Sequence, residues 1–229
     1  MPFVTLPAHI ADIEAVYDVQ FAAFVNEPII DFLFPGGVDR PAHTKGSIAY
    51  WNHDTISYTT KCVDTETGNI VGMATWEIYW KPGHEGTFKK PDGIPWLEGE
   101  DKARCEAIFN PMWDMRAELF GDSKYIYLAS IAVHPDYQRR GIGGTLLDWG
   151  IDQADKLQVP IYTEASKDGF GLFIAYGFEK LDHVSLIHKA EVLGREDDEE
   201  VPLVVRMPSV AKISFKEWVS KGRPKLEST

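Results

Sequence analysis

A single mixed α/β domain is the fold class this sequence predicts, and three observations predict it. Residues 125–133 (Tyr-Ile-Tyr-Leu-Ala-Ser-Ile-Ala-Val) are apolar or aromatic at every position but Ser130, which reads as a central strand buried on both faces. That run leads into a glycine-rich turn, Gly141-Ile142-Gly143-Gly144, and then into a stretch of helical periodicity. Along the chain, strand-like and helix-like segments alternate rather than segregate, which is the signature of one α/β layer arrangement. A chain of 229 residues is long enough to bury its own core without cross-links.

The elements follow in order. Phe3-Val4-Thr5-Leu6 reads as a strand. Ile10, Ile13, Tyr17, Phe21 and Phe24 recur at helical spacing until Pro28 interrupts them. An apolar stretch from Ile29 to Phe34 ends at Pro35-Gly36-Gly37, and Pro41 to Asn52 reads as a second helix. Ser57–Val63 and Asn69–Trp80 form a hairpin about the turn Asp64-Thr65-Glu66-Thr67-Gly68. In its second arm Ile70, Gly72, Ala74, Trp76 and Ile78 share one face, and Val71, Met73, Thr75, Glu77 and Tyr79 the other. Residues 81–124 read as an insertion: first a loop rich in Gly and Pro, then a helical segment from Asp101 to Phe120 that Pro111 is expected to break. After the central strand, Leu147, Ile151, Ala154 and Leu157 mark the buried stripe of a helix that Pro160 closes. Ile161–Ala165 is a strand, Phe170–Tyr176 a short helix stopped by Gly177, and strands are expected near Val184–His188 and Val201–Met207. Arg195–Glu200 reads as a solvated loop and Lys221–Thr229 as a short polar, frayed tail.

Composition narrows the function. The net charge is −12, so the surface repels phosphate backbones, and binding to nucleic acid or to an anionic membrane is not expected. Cys62 and Cys105 have neither CxxC nor CxxH spacing, so they read as small buried hydrophobes rather than metal ligands. No run of about 18 apolar residues suggests a membrane span, and Met-Pro-Phe-Val-Thr-Leu has no basic region of a secretory signal. A soluble cytoplasmic protein, monomeric or homodimeric, is the expectation.

The turn after the central strand carries the chemistry. The first N–H groups of a helix lack internal partners and carry partial positive charge, which suits a phosphate. Gly141, Gly143 and Gly144 let a ligand approach the backbone, and Arg139 and Arg140 add cationic reach. Two common phosphate patterns fail. No Gly-Lys-Ser/Thr follows the turn, and the third glycine of a dinucleotide fingerprint would fall on Leu146.

The run Gln138-Arg139-Arg140-Gly141-Ile142-Gly143, placed after a strand ending Ile131-Ala132-Val133-His134-Pro135, resembles the GNAT superfamily of acyl-CoA-dependent N-acetyltransferases. Leu172-Phe173-Ile174-Ala175-Tyr176-Gly177-Phe178 resembles that family's downstream pattern, and the resemblance spans residues 3–207 outside the insertion. It implies an α/β fold with a mixed, mostly antiparallel sheet, a splayed central strand pair and flanking helices. It implies acetyl-CoA as cofactor, its pyrophosphate held by backbone N–H groups from Arg139 to Thr145, with Gln138, Arg140, Gly141, Ile142, Gly143 and Gly144 in the cradle. Ile131, Ala132 and Val133 would flank the pantetheine arm, and the N–H near Ile131 would polarise the thioester carbonyl.

For catalysis the resemblance implies direct attack by a neutral amine, with Glu77 or Glu164 taking the ammonium proton and Tyr127 lining the acceptor site. The family's usual proton-donating Tyr falls on Phe173, which has no proton to give. Tyr176 is the nearest hydroxyl in that segment. Phe24, Asn26 and Glu27, with Ile30 and Phe34, would shape the acceptor site beside Trp96, Met112 and Trp113 of the insertion. An acid beside aromatic rings suits an amine with an apolar body, so a small-molecule amine is the first expectation for the acceptor. A protein or peptide acetyltransferase, and an acyl-CoA-binding sensor without catalysis, stand as alternatives.

Overall fold

Strands β1 (Phe3–Pro7), β2 (Ser57–Asp64), β3 (Ile70–Tyr79) and β4 (Tyr125–Val133) lie side by side in that order. In the computed structural model, which describes residues 2–25, 27–80 and 87–226, the chain forms two compact units. The first comprises Met1–Ile78 and Tyr127–Asp152, the second Tyr79–Ile126 and Gln153–Thr229. All pairings of β1 with β2 and of β2 with β3 are antiparallel, with Pro7 opposite Thr60 and Ser57 opposite Glu77. The β2–β3 turn forms as its residues predict. Gly68 adopts φ 77°, its N–H reaches the Asp64 carbonyl at 2.7 Å, and the Asp64 side chain accepts from Glu66.

The two faces of β3 meet different helices. Met73 packs with Ala132 of β4 against Val16 and Val19 of α1 (Ile13–Ala23). Gly72 and Trp76 face α5 (Ile142–Leu157). A Cβ on Gly72 would stand 2.7 Å from Ile142 Cγ2, and one on Gly150 of α5 would stand 2.2 Å from the Trp76 ring. These two glycines set how closely the helix lies on the sheet. Leu147 and Ala154 are buried as the periodicity predicts, but Leu146 is buried too, and Leu157 is 38% exposed. The stripe therefore ends a turn earlier than expected.

Two more helices cover the first unit, α2 (Pro28–Leu33) and α3 (Arg40–His53). Asp39 caps α3 by accepting from Ala42 N–H at 3.1 Å, and Pro41 sits in its first turn. Arg40 pairs with Asp18 of α1 and lies over the Phe21 ring. The His43 ring meets those of Tyr17, Phe21 and Phe34 edge-on at 4.5–5.6 Å. Burial first, and then the Arg40 guanidinium, hold the His43 imidazole below its ordinary value. The unfolded chain accepts that proton more readily than the folded one, so stability is lost as pH falls below about 6.5. Thermal melts between about pH 8 and about pH 5 should show a shallower decline for His43→Phe than for the wild type. Parallel declines would mean that His43 contributes nothing to the acid limb.

In the second unit α4 (Gly99–Phe120) runs unbroken through Pro111. The expected break is absent because Cys105, Ile108, Trp113, Arg116, Leu119 and Phe120, on both sides of the proline, are buried. Their packing outweighs the roughly 3 kcal/mol that an interior proline costs. Phe120 stacks on Tyr125 at 4.0 Å and lies near Tyr162, Phe215 and Trp218. The helical half of the insertion thus contributes to this unit's core.

β5 (Ile161–Glu164), β9 (Leu203–Arg206) and β6 (Glu179–Lys180) are antiparallel neighbours in that order, and β7 (Leu186–His188) pairs separately with β8 (Glu199–Val201). At the start of β4, Ile126 N–H donates to the Pro160 carbonyl. The strand expected over Val201–Met207 is interrupted by Pro202, which cannot donate, so β8 and β9 join different sheets. Glu199 and Glu200, expected in a solvated loop, are strand residues, and Glu199 pairs with Lys167 and Arg195. Two short helices complete the unit besides α6 (Phe170–Ala175): α7 (Ala190–Leu193) and α8 (Phe215–Ser220).

The C-terminal segment corrects the sequence reading most. Phe215 and Trp218 of α8 are buried, and so is Leu226. Trp218 Nε1–H donates to the Pro224 carbonyl at 2.8 Å, and Arg223 donates to the Leu119 and Glu118 carbonyls at the end of α4. Residues 221–226 are therefore anchored by caps and aromatic burial rather than frayed. Residues 227–229 of the expected tail lie outside the described residues.

Candidate active site

The turn between β4 and α5 is built by local geometry. His134 N–H donates to the Val71 carbonyl at 2.9 Å, ending the strand, and its Nδ1 accepts from Asp136 N–H. A single 3₁₀ turn, Pro135–Tyr137, redirects the chain. Gln138 Nε2–H then reaches back to the Val133 carbonyl at 3.3 Å. Arg139 at φ 62° and Gly141 at φ 85° adopt the left-handed region, and α5 starts at Ile142. Left-handed backbone is strained for a residue with a Cβ and free for glycine. No atom stands within 4 Å of where a Gly141 Cβ would be. Open space therefore lies before the first turn of a 16-residue helix, whose leading N–H groups have no carbonyl partner within the helix.

The neighbouring side chains hold this shape. Thr145 N–H donates to the Gly141 carbonyl at 3.2 Å and Thr145 Oγ1–H to the Ile142 carbonyl at 2.9 Å. Ile142 and Gly144 are buried, so the first turn cannot slide. Arg140 donates to the Asp136 carbonyl at 3.0 Å and lies over the Tyr137 ring at 5.0 Å. Arg139 is exposed at the rim. Arranged this way, backbone N–H groups and two guanidinium groups suit a diphosphate, so the residues present fit the group that the sequence implied.

The remaining predicted residues divide between the two units. In the first, Ile131 and Val133 are half-buried and Ala132 is buried. The expectation of burial along the whole central strand holds for 125–128 and Ala132, but Ala129 is exposed and Ser130, Ile131 and Val133 are half-buried. Phe24 packs on the cluster of Val16, Val19, Met73 and Ala132, which brings it beside β4. Glu27 precedes α2 as its half-buried N-cap residue, without a side-chain cap, and Phe34 joins the His43 cluster. Asn26 lies outside the described residues. Tyr127 is buried and Glu77 is half-buried. Ser130 Oγ touches Met73 Sδ at 4.0 Å. Glu77 lies four positions further along β3, about 13 Å of extended chain.

In the second unit Glu164 is half-buried at the end of β5, opposite Leu203. Phe173 is buried with its ring 5.3 Å from that of Phe178. Phe178 N–H reaches the Phe173 carbonyl, Gly177 N–H the Ile174 carbonyl, and Gly177 has φ 79°. That is a Schellman cap with its usual apolar contact, so the Tyr176-Gly177-Phe178 pattern ends α6. Tyr176 is half-buried just past the helix. Trp96 is 57% exposed, whereas Trp113 is buried and packs with Phe109.

Sequence reasoning passed over Tyr50, Asp54 and Ser57. Tyr50 Oη and Ser57 Oγ stand 3.2 Å apart. Burial raises the Tyr50 hydroxyl far above its ordinary value, and the charges of Asp54 and Glu77 add to it. The only local signal was Asp54, placed two residues before Ile56, whose N–H it accepts at 2.8 Å. Among the described residues no cluster of three His, Cys, Asp or Glu side chains could hold a metal, and no helix is long and apolar enough to cross a membrane.

The family model of the acetyltransferase (GNAT) family matches residues 24–170, well over half of the chain and including the β4–α5 turn. The chain belongs to the GNAT family. It is an acyl-transferring enzyme, and the family generally uses acetyl-CoA. Among curated relatives of this acetyltransferase is a probable acyltransferase SID5 of Ajellomyces capsulatus, 38% identical over 140 residues that cover 61% of this chain and 96% of that protein. Among solved structures an agmatine N-acetyltransferase superposes with TM-score 0.65 at 14% identity, covering 90% of this chain and all of the other. A mosquito arylalkylamine N-acetyltransferase-like protein superposes with TM-score 0.59 at 16% identity, covering 90% and 99%. These structures share the fold: antiparallel strands flanked by helices, the α/β class that the sequence predicted.

Proposed function

We propose that this GNAT enzyme transfers an acetyl group from acetyl-CoA to the primary amine of a small molecule. The observation that carries the cofactor half is the left-handed, unobstructed Gly141 in front of the α5 N-terminus. Backbone N–H groups from Arg139 to Gly144 would hold the pyrophosphate, Thr145 N–H being committed to the Gly141 carbonyl, and Ile131 and Val133 would flank the pantetheine arm. Bound acetyl-CoA supplies the acyl group as a thioester. The Ile131 N–H donates to the carbonyl oxygen where negative charge develops. Glu77 takes the ammonium proton through water, because the strand carries it about 13 Å beyond the Ser130–Met73 contact. Phe173, where the resemblance would put a proton donor, has no proton to give, so a leaving thiol of ordinary acidity near 8.5 would depart as thiolate.

A small acceptor is supported by the half-buried Phe24 beside β4, by the half-buried Glu27 three residues further on, and by the amines named for the two structural neighbours. Free thiol release should be measured with acetyl-CoA over a panel including agmatine and phenylethylamine. Turnover is expected on at least one small amine, and Glu77→Gln should lower kcat about a hundredfold without weakening acetyl-CoA binding. Turnover on peptide amines alone would favour the protein-modifying alternative. Saturable acetyl-CoA binding without turnover on any amine would favour a sensor.

A further inference from the structure

A cavity of about 330 Å³ opens in the first unit where β1 parts from β2. Their pairing ends at Pro7 opposite Thr60, Ala8 N–H makes one more bond to the Thr59 carbonyl, and the chain then turns away through Ile10–Asp12. Three aromatic side chains line the gap: Trp51 of α3, Tyr58 of β2 and Trp149 of α5. Two of them are braced from behind, Trp149 by Trp76 at 6.0 Å and Trp51 by Tyr17 at 6.4 Å.

Asp54 is the one carboxylate among the lining residues, beside Ser57 and His9. Its Oδ1 accepts from the N–H groups of Ile56 and Ser57 at 2.8 and 3.3 Å, and the Ser57 and Tyr50 hydroxyls lie beside the carboxylate. Burial opposes its ionisation, but the Ser57 and Tyr50 hydroxyls and those backbone groups more than offset this, leaving the carboxyl below its ordinary value. The lysine nearest in sequence on β2, Lys61, is committed to Asp12 at 2.7 Å. Asp54 has no cationic partner among the described residues.

We propose that this aromatic cavity with the Asp54 carboxylate is a second ligand site, and that it takes an organic ammonium ion. Aromatic faces attract cations through the ring quadrupole, and a carboxylate without a counter-ion adds charge complementarity while repelling phosphates. The site lies off the thioester position but next to the proposed base, since Ser57 on its wall stands opposite Glu77. The order β1-β2-β3-β4 places β2 two strands from β4, which is about 10 Å at the usual strand spacing. An ammonium held here is out of reach of a thioester beside Ile131. The occupant is therefore an effector, or the far cationic end of a longer ligand, and not the reacting amine.

The test uses the whole chain and choline as probe, read by saturation-transfer NMR, with 3,3-dimethyl-1-butanol as the uncharged isostere. Choline should bind saturably, the alcohol at least roughly fivefold more weakly, and excess acetyl-CoA should not displace choline. Asp54→Asn keeps the Oδ1 acceptor but removes the charge, and should weaken choline by roughly fivefold or more. Tyr58 is 41% exposed, so Tyr58→Ala is a second variant that preserves the fold, and it should weaken choline as well. Absence of saturable binding, equal binding of the alcohol, displacement by acetyl-CoA, or unchanged binding in both folded variants would each overturn the proposal.

Discussion

Replacing Gly141 with aspartate should reduce acetyl-CoA affinity about a hundredfold. Two effects add. At φ 85° any Cβ is strained, at a cost of about 1–3 kcal/mol that is relieved by shifting the turn. The new carboxylate then projects into the open space before the helix, where the diphosphate would sit. Gly141→Ala separates the two, since it carries the strain without the charge and should lose only about tenfold. Calorimetric titration with acetyl-CoA reads both variants, and circular dichroism confirms that they fold. An aspartate variant that binds as tightly as the wild type would remove the cofactor from this turn. Because the enzyme class rests on the family match and not on this turn alone, the result bears on where the cofactor sits rather than on whether acyl transfer occurs.

Gly150→Ala should destabilise the fold by about 1 kcal/mol, opposite in sign to the usual effect. In an ordinary helix interior, glycine to alanine gains about 1 kcal/mol from propensity. Here the added methyl would stand 2.2–2.6 Å from three atoms of the Trp76 indole. Trp76 cannot retreat, being fully buried on β3 with Trp149 against it. Overpacking of this kind costs about 1–3 kcal/mol, so the clash exceeds the propensity gain. Trp76→Phe in the alanine background should recover part of the loss, because the smaller ring vacates that space. Chemical denaturation of the four proteins gives the coupling between the two sites directly. Additive effects, or a stabilised alanine variant, would mean that helix and sheet are not held at this spacing by Gly150.

Several elements were legible because their determinants are local. The β2–β3 turn reads from Asp64 and Gly68, and both faces of β3 read from its alternation. The limits of β4 were legible from its apolar run, although the exposure of Ala129 was not, because exposure depends on what covers the strand. The same limit explains Pro111. Proline removes one hydrogen bond wherever it stands, but whether the helix survives depends on the burial of Ile108, Trp113 and Phe120 around it. The tail was misread because polar residues such as Lys221 and Arg223 mask a fixed role. The Arg223 guanidinium caps carbonyls of a helix that ends about a hundred residues earlier in the sequence, a pairing that no local pattern signals.

At the candidate site the division falls in the same way. The anion-binding turn is a short-range property: strand, left-handed glycine and helix N-terminus follow one another within a few residues, so the order of residue types determines the backbone N–H groups and their direction. What places that turn is long-range. Gly72 and Gly150 admit α5 closely to the sheet only because Ile142, Leu146 and Trp76 occupy the facing positions. Asp54 and Glu77 act on Tyr50 only because α3 returns to the start of β2. Backbone dihedral preference belongs to single residues and is written in the chain. The distance of approach between surfaces belongs to pairs of segments, and it exists only once packing has brought them together.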